Sequence, residues 1–197
     1  MVDILVLVAA VAFAATDIDD LFLLMMFFSS RIFPPRQVAL GQFVGIGLLV
    51  AVSILGSLIA LVVPIYVIGL LGLIPIAIGI KDLIEVRNND RTSTKMVPKK
   101  NKSYLAFLTV TAVTVSNGGD NIGVYVPLFS KYNTVDQIIM LTSVFIAMTA
   151  VWCIAAYYLV NHPRLASRIR HTGNIIMPFV LIGLGIYILI DSFVIVP

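Results

Sequence analysis

Charge is scarce in this chain: 12% of its 197 residues are Asp, Glu, Lys or Arg, against 60% hydrophobic, and the mean hydropathy is +1.06. A soluble fold needs about a quarter of its residues charged to keep a hydrated surface, so water is excluded as the solvent for most of it. Cysteine is scarcer still. The single Cys153 cannot close an internal disulfide or build a thiolate metal cage, and reads as a small buried apolar residue. No Gly-x-x-x-x-Gly-Lys-Ser/Thr motif occurs and the chain is too short for a nucleotide-binding domain, so direct ATP drive is not expected. The first segment lacks a basic leader and carries Asp3 and three more carboxylates, so it is expected to be a retained helix and not a signal peptide.

Apolar runs long enough to cross a bilayer are abundant, each needing roughly 20 residues as a helix. They are apolar on all faces, unlike the alternating segments of about 10 residues in an outer-membrane barrel. The fold expected is therefore all-α and membrane-embedded, with six spans near residues 3–29, 37–61, 63–85, 104–130, 135–160 and 173–196. The polar breaks run from Arg31 to Arg36, around Pro64, over 86–103, from Lys131 to Asn133, and from Asn161 to Thr172. Residues 86–103 read as a cytoplasmic linker between a first three-helix unit, 1–85, and a second, 104–197. Eleven Lys and Arg residues fall in the odd-numbered loops and only Lys131 in the even ones, which predicts both termini outside. The net charge of +3 follows from this loop bias and gives no reason to expect nucleic acid binding.

The two units resemble each other. Gly79-Ile80-Lys81-Asp82-Leu83-Ile84-Glu85 matches Gly185-Ile186-Tyr187-Ile188-Leu189-Ile190-Asp191, and Asp19-Asp20-Leu21 matches Asp120-Asn121-Ile122. Three spans per unit force the second to enter the membrane from the opposite side, the inverted-repeat arrangement of many secondary transporters.

Carboxylates stand where lipid should be. Asp17, Asp19 and Asp20 lie mid-way along the first span, each unfavourable by about 2.5–3.5 kcal/mol at a helix centre. In the fourth, Asn117-Gly118-Gly119-Asp120-Asn121 combines a carboxylate and amides with two helix-weakening glycines. Both helices are expected to be broken or unwound there. At about 100° per residue Asp17 and Asp20 share a face and Asp19 does not, so the backbone unwinds or one carboxylate takes another partner. The spans hold no Lys or Arg apart from Lys81 near an end, so the compensating charge has to be a bound cation or protons. Oxygen donors at this density suit a divalent ion, with Asn117, Asn121 and freed carbonyls completing its shell. The purely structural alternative is that the acids are protonated and bond two helices together.

The stretch Thr16-Asp17-Ile18-Asp19-Asp20-Leu21, together with Asn117-Gly118-Gly119-Asp120-Asn121-Ile122-Gly123-Val124-Tyr125-Val126-Pro127, resembles the bacterial cadmium-resistance transporters of CadD type, within the lysine-exporter superfamily. The resemblance covers essentially the whole chain. It implies efflux of cadmium across the bacterial plasma membrane, with Asp17, Asp19, Asp20, Asn117, Asp120 and Asn121 lining the ion path and no resident cofactor. It leaves the metal open, since relatives are associated with manganese, calcium or organic cations. Cadmium is soft, yet none of these six residues offers sulfur; Met25 and Met26, a turn or two beyond, read as packing.

The expected partners are the cation and bilayer lipid, with proton antiport as the energy source. Gly41-x-x-x-Gly45 and Ser53-x-x-x-Ser57 permit close helix packing, either within the chain or against a second copy as a homodimer. An organic-cation exporter would use Tyr125 and Phe22 as an aromatic wall. An intramembrane aspartyl protease would require a Tyr-Asp pair and Gly-x-Gly-Asp, and the sequence has neither. His162 and His171 read as solvated, and Lys81, Asp82, Glu85 and Asp191 as helix-end charges.

Overall fold

A computed structural model of the chain describes residues 2–30, 33–60, 70, 73–88 and 103–194. Among these there are helices and no strand. They are α1 (Val2–Thr16), α2 (Ile18–Ser29), α3 (Pro35–Ala60), α4 (Leu73–Asn88), α5 (Ser103–Asn117), α6 (Gly119–Lys131), α7 (Val135–Leu159) and α8 (Pro163–Val194). The turn around Pro64, most of the expected linker 86–103, and the side chains of Asp82, Glu85, His171 and Asp191 lie outside the described residues.

Local chemistry sets the ends. Pro35 opens α3 at the first helical position, where a missing N–H costs nothing. Gln137 Oε1 accepts the Thr134 N–H at 3.3 Å, one arm of a capping box at the start of α7. Pro163 starts α8 well before the expected 173. The Arg-rich stretch 164–171 continues as helix because Arg, Leu and Ala are good helix formers whether or not lipid surrounds them.

The first and fourth apolar segments are each interrupted at one residue. Asp17 separates α1 from α2 with φ −98°, ψ 11°, and Gly118 separates α5 from α6 with φ −78°, ψ 25°. Both sit in the sparsely populated bridge region between helix and strand. The ladder survives on either side: Asp17 N–H bonds Phe13 C=O at 2.9 Å and Leu21 N–H bonds Asp17 C=O at 3.2 Å, as Gly118 N–H bonds Thr114 C=O at 2.9 Å and Ile122 N–H bonds Gly118 C=O at 3.1 Å. The expected disruption is thus a one-residue bend and no long unwound segment.

Packing places the bends together. The α1–α2 pair lies along α7, the α5–α6 pair lies along α3, and α4 packs on α8. Phe13, Tyr125, Phe129 and Phe145 fill the centre, with Tyr125 stacked on Phe145 at 4.3 Å between centroids. Outward faces stay apolar: Leu40, Leu48, Leu55 and Ile59 on α3 and Ile139, Ile146 and Ile154 on α7 are exposed, the inverse of a water-soluble surface. Pro35–Ile59 and Val135–Leu159 are long and apolar enough to cross a bilayer unaided, and Asp3–Thr16, Ala106–Asn117 and Pro178–Ile190 are shorter apolar helices.

Candidate cation site

Burying a carboxylate is costly unless its oxygens find donors, and the bend in the first segment shows where they come from. Asp17, at the bend, is fully buried. Its Oδ2 accepts from Tyr125 Oη at 2.8 Å, Asn121 Nδ2 at 3.0 Å and Thr16 Oγ1 at 3.1 Å. Its Oδ1 is buried without a hydrogen-bond partner. The side chain does not cap α2, although it stands at the N-cap position, because it turns sideways to α6 instead. One turn on, Asp20 is also buried, its Oδ1 accepting from Asn117 Nδ2 at 2.8 Å and its Oδ2 from Gln42 Nε2 at 2.9 Å.

The other acids lie differently. Asp19 is exposed, as the helical period places it, so the structure separates it from the face that Asp17 and Asp20 share. Asp120 is partly buried in the first turn of α6, where its Oδ1 accepts the Asn121 N–H at 3.0 Å. No Lys, Arg or His within the described residues pairs with Asp17 or Asp20. Asp19, Asp20 and Asp120 all stand in the first turn of the half-helix after a bend, the end at which the helix dipole favours a carboxylate.

Of the six residues expected from sequence, Asp17, Asp20, Asn117 and Asn121 are joined directly by hydrogen bonds between the first and fourth segments. Asp120 flanks them and Asp19 faces away. Three participants escaped the sequence reading: Gln42, its partner Thr114, and Trp152. Gln42 on α3 is 2% exposed and bonds both Asp20 and, through Oε1, Thr114 Oγ1 at 2.6 Å. Trp152 on α7 donates Nε1–H to the Asp17 carbonyl oxygen at 2.7 Å, holding the bend from behind. A Gln inside an apolar run is a visible signal; the reach of Trp152 across 135 positions is not. Within the described residues no three His, Cys, Asp or Glu side chains form a ready-made metal cluster, so any cation here has to draw on amide, hydroxyl or carbonyl oxygens as well.

Against protein families, residues 13–196 match the model described as cadmium resistance transporter. The chain belongs to that family. No curated protein and no solved structure matches it. Membership makes the chain a membrane transporter with a metal cation as substrate and not an enzyme, which retires the aspartyl protease reading. Tyr125, offered above as an aromatic wall for an organic cation, is instead wholly buried with its hydroxyl committed to Asp17.

Proposed function

We propose that this family member exports divalent metal cations, cadmium first among them, from the bacterial cytoplasm by proton antiport at the carboxylates of the two bent segments. The observation that carries the reading is the pair Asp17 and Asp20: both are buried in an apolar body, bonded to Asn121 and Asn117 of the opposite segment, and without a basic partner within the described residues. Ionised acids so placed favour a cation, and one dication balances two of them. Asp120 adds charge at the rim. Asp19, facing outward, fits better as a residue of the ion's approach than of its binding.

The spatial pairing supports two inverted units, 1–85 and 104–197. The first segment packs on the fifth and the fourth on the second, a relation that survives exchange of the units, and the two bends fall at corresponding places in the motifs. With both termini outside, export of a dication against about 100 mV requires on the order of 4.6 kcal/mol before any concentration gradient. Protons replacing the metal on the same carboxylates would couple that work to the proton gradient. Cadmium uptake into everted vesicles should collapse when the pH gradient is dissipated; uptake that persists unchanged would refute the coupling. The oxygen-rich donor set favours a second reading in which manganese or calcium shares the path. Competition of each ion against radiolabelled cadmium in the same vesicles ranks them.

A further inference from the structure

Gln42 is an amide inside an apolar helix, and burying it unbonded would cost several kcal/mol. Both of its ends are spent within the cation site, Nε2 on Asp20 Oδ2 at 2.9 Å and Oε1 on the Thr114 hydroxyl at 2.6 Å. Its neighbours are arranged for that reach. A Cβ at Gly41 would meet Val110 Cβ at 2.7 Å and Phe107 O at 2.9 Å, and one at Gly45 would meet Thr114 Cβ at 2.7 Å. Thr111 Oγ1 further donates to the Gly41 carbonyl at 3.1 Å. The Gly41-x-x-x-Gly45 pair therefore serves close packing within the chain, drawing α3 onto α5 and seating Gln42 between Asp20 and Thr114.

We infer that Gln42 is a ligand of the transported cation, supplying Oε1 after its amide inverts. The inference rests on the carboxylates being the cation site. In the arrangement seen, Nε2 occupies the Asp20 oxygen that a cation would take, and a dication repels an N–H donor. Inversion relieves both conflicts, because it turns Oε1 toward the ion and Nε2 toward Thr114. Thr114 is the residue that permits the exchange: a hydroxyl accepts as readily as it donates, so no amide atom loses its partner. Asn117 on the other side of Asp20 leaves the carboxylate bracketed by two amides, and Gln42 is the one whose far end is held by such a two-way group.

The test measures binding of Cd2+ and Mn2+ to the full-length purified protein in lipid nanodiscs by equilibrium dialysis. Gln42→Leu should weaken both ions by about tenfold or more, the scale set by losing a group at a metal site. Gln42→Met keeps the unbranched shape but offers a soft thioether, so it should raise the ratio of Cd2+ to Mn2+ affinity over wild type by about tenfold. Leu binding equal to or tighter than wild type would show an amide that only competes with the ion and would overturn the ligand role. So would a Met variant with an unchanged ratio, which also decides the matter if the Leu variant does not fold. Wild-type protein that binds neither ion would overturn the proposed function itself, an outcome distinct from wild-type binding that ignores Gln42.

Discussion

Three aspartates within four positions have three different environments, and the helical period explains most of it. Asp17 and Asp20 turn inward together while Asp19 turns out. If the inward pair holds the ion, Asp17→Asn and Asp20→Asn should abolish cadmium resistance at wild-type protein levels, whereas Asp19→Asn should leave residual resistance; growth on graded cadmium with an expression blot checks all three. Tyr125→Phe removes one donor from a buried carboxylate, a bond worth about 1.5–3 kcal/mol to a charged group, and should lower the unfolding temperature in detergent. Cys153 is buried in the apolar cluster that holds Leu21, Leu24 and Ala156, where its thiol packs as a small apolar group. Cys153→Ala should therefore keep vesicle uptake within about twofold of wild type, and a larger loss would make the thiol a soft ligand after all.

For the elements, what matters is what keeps a helix bent at one residue. The Gly118 bend has a negative φ that any residue can adopt, so glycine is required there for space and not for conformation. A Cβ at Gly118 would run into the Leu49 side chain, while one at Gly119 would meet nothing within 4 Å. Gly118→Ala should thus cost about 1–3 kcal/mol by overpacking, and combined with Leu49→Ala it should cost less than the sum of the two single changes, because the second removes the side chain that the first strikes. Gly119→Ala should be close to neutral in the same thermal unfolding measurement. At the other bend the restraint is a hydrogen bond: Trp152 also lies edge-on to Phe13 at 5.5 Å. Trp152→Phe should cost about 1 kcal/mol and slow uptake, since the Asp17 carbonyl loses its second donor.

Over the whole molecule, the same two bent segments are each laid against a long helix, α1–α2 on α7 and α5–α6 on α3. If the two units are inverted repeats, as proposed, transport would proceed by one rocking against the other about the paired bends. The distribution of basic residues carries a topological expectation: alkaline phosphatase fused after Pro197 should be active, and fused within 86–103 should be silent.

Much of this was legible before any coordinates. Composition dictated lipid as the solvent, since a chain with so few charges has no other; run lengths dictated helices; and carboxylates in apolar runs marked the two segments that the structure bends and joins by hydrogen bonds. The long continuous helix from Pro163 was not legible, because polarity marks where lipid ends and not where a helix begins. Only the tertiary structure decided that Asn121 and Tyr125 belong to Asp17, that Asn117 and Gln42 belong to Asp20, and that Trp152 holds the bend. Hydrogen bonds reach about 3 Å and ignore sequence distance, so their partners are settled by which helices pack, and that was written in Gly41, Gly45 and Gly118 as the size of a side chain that is missing.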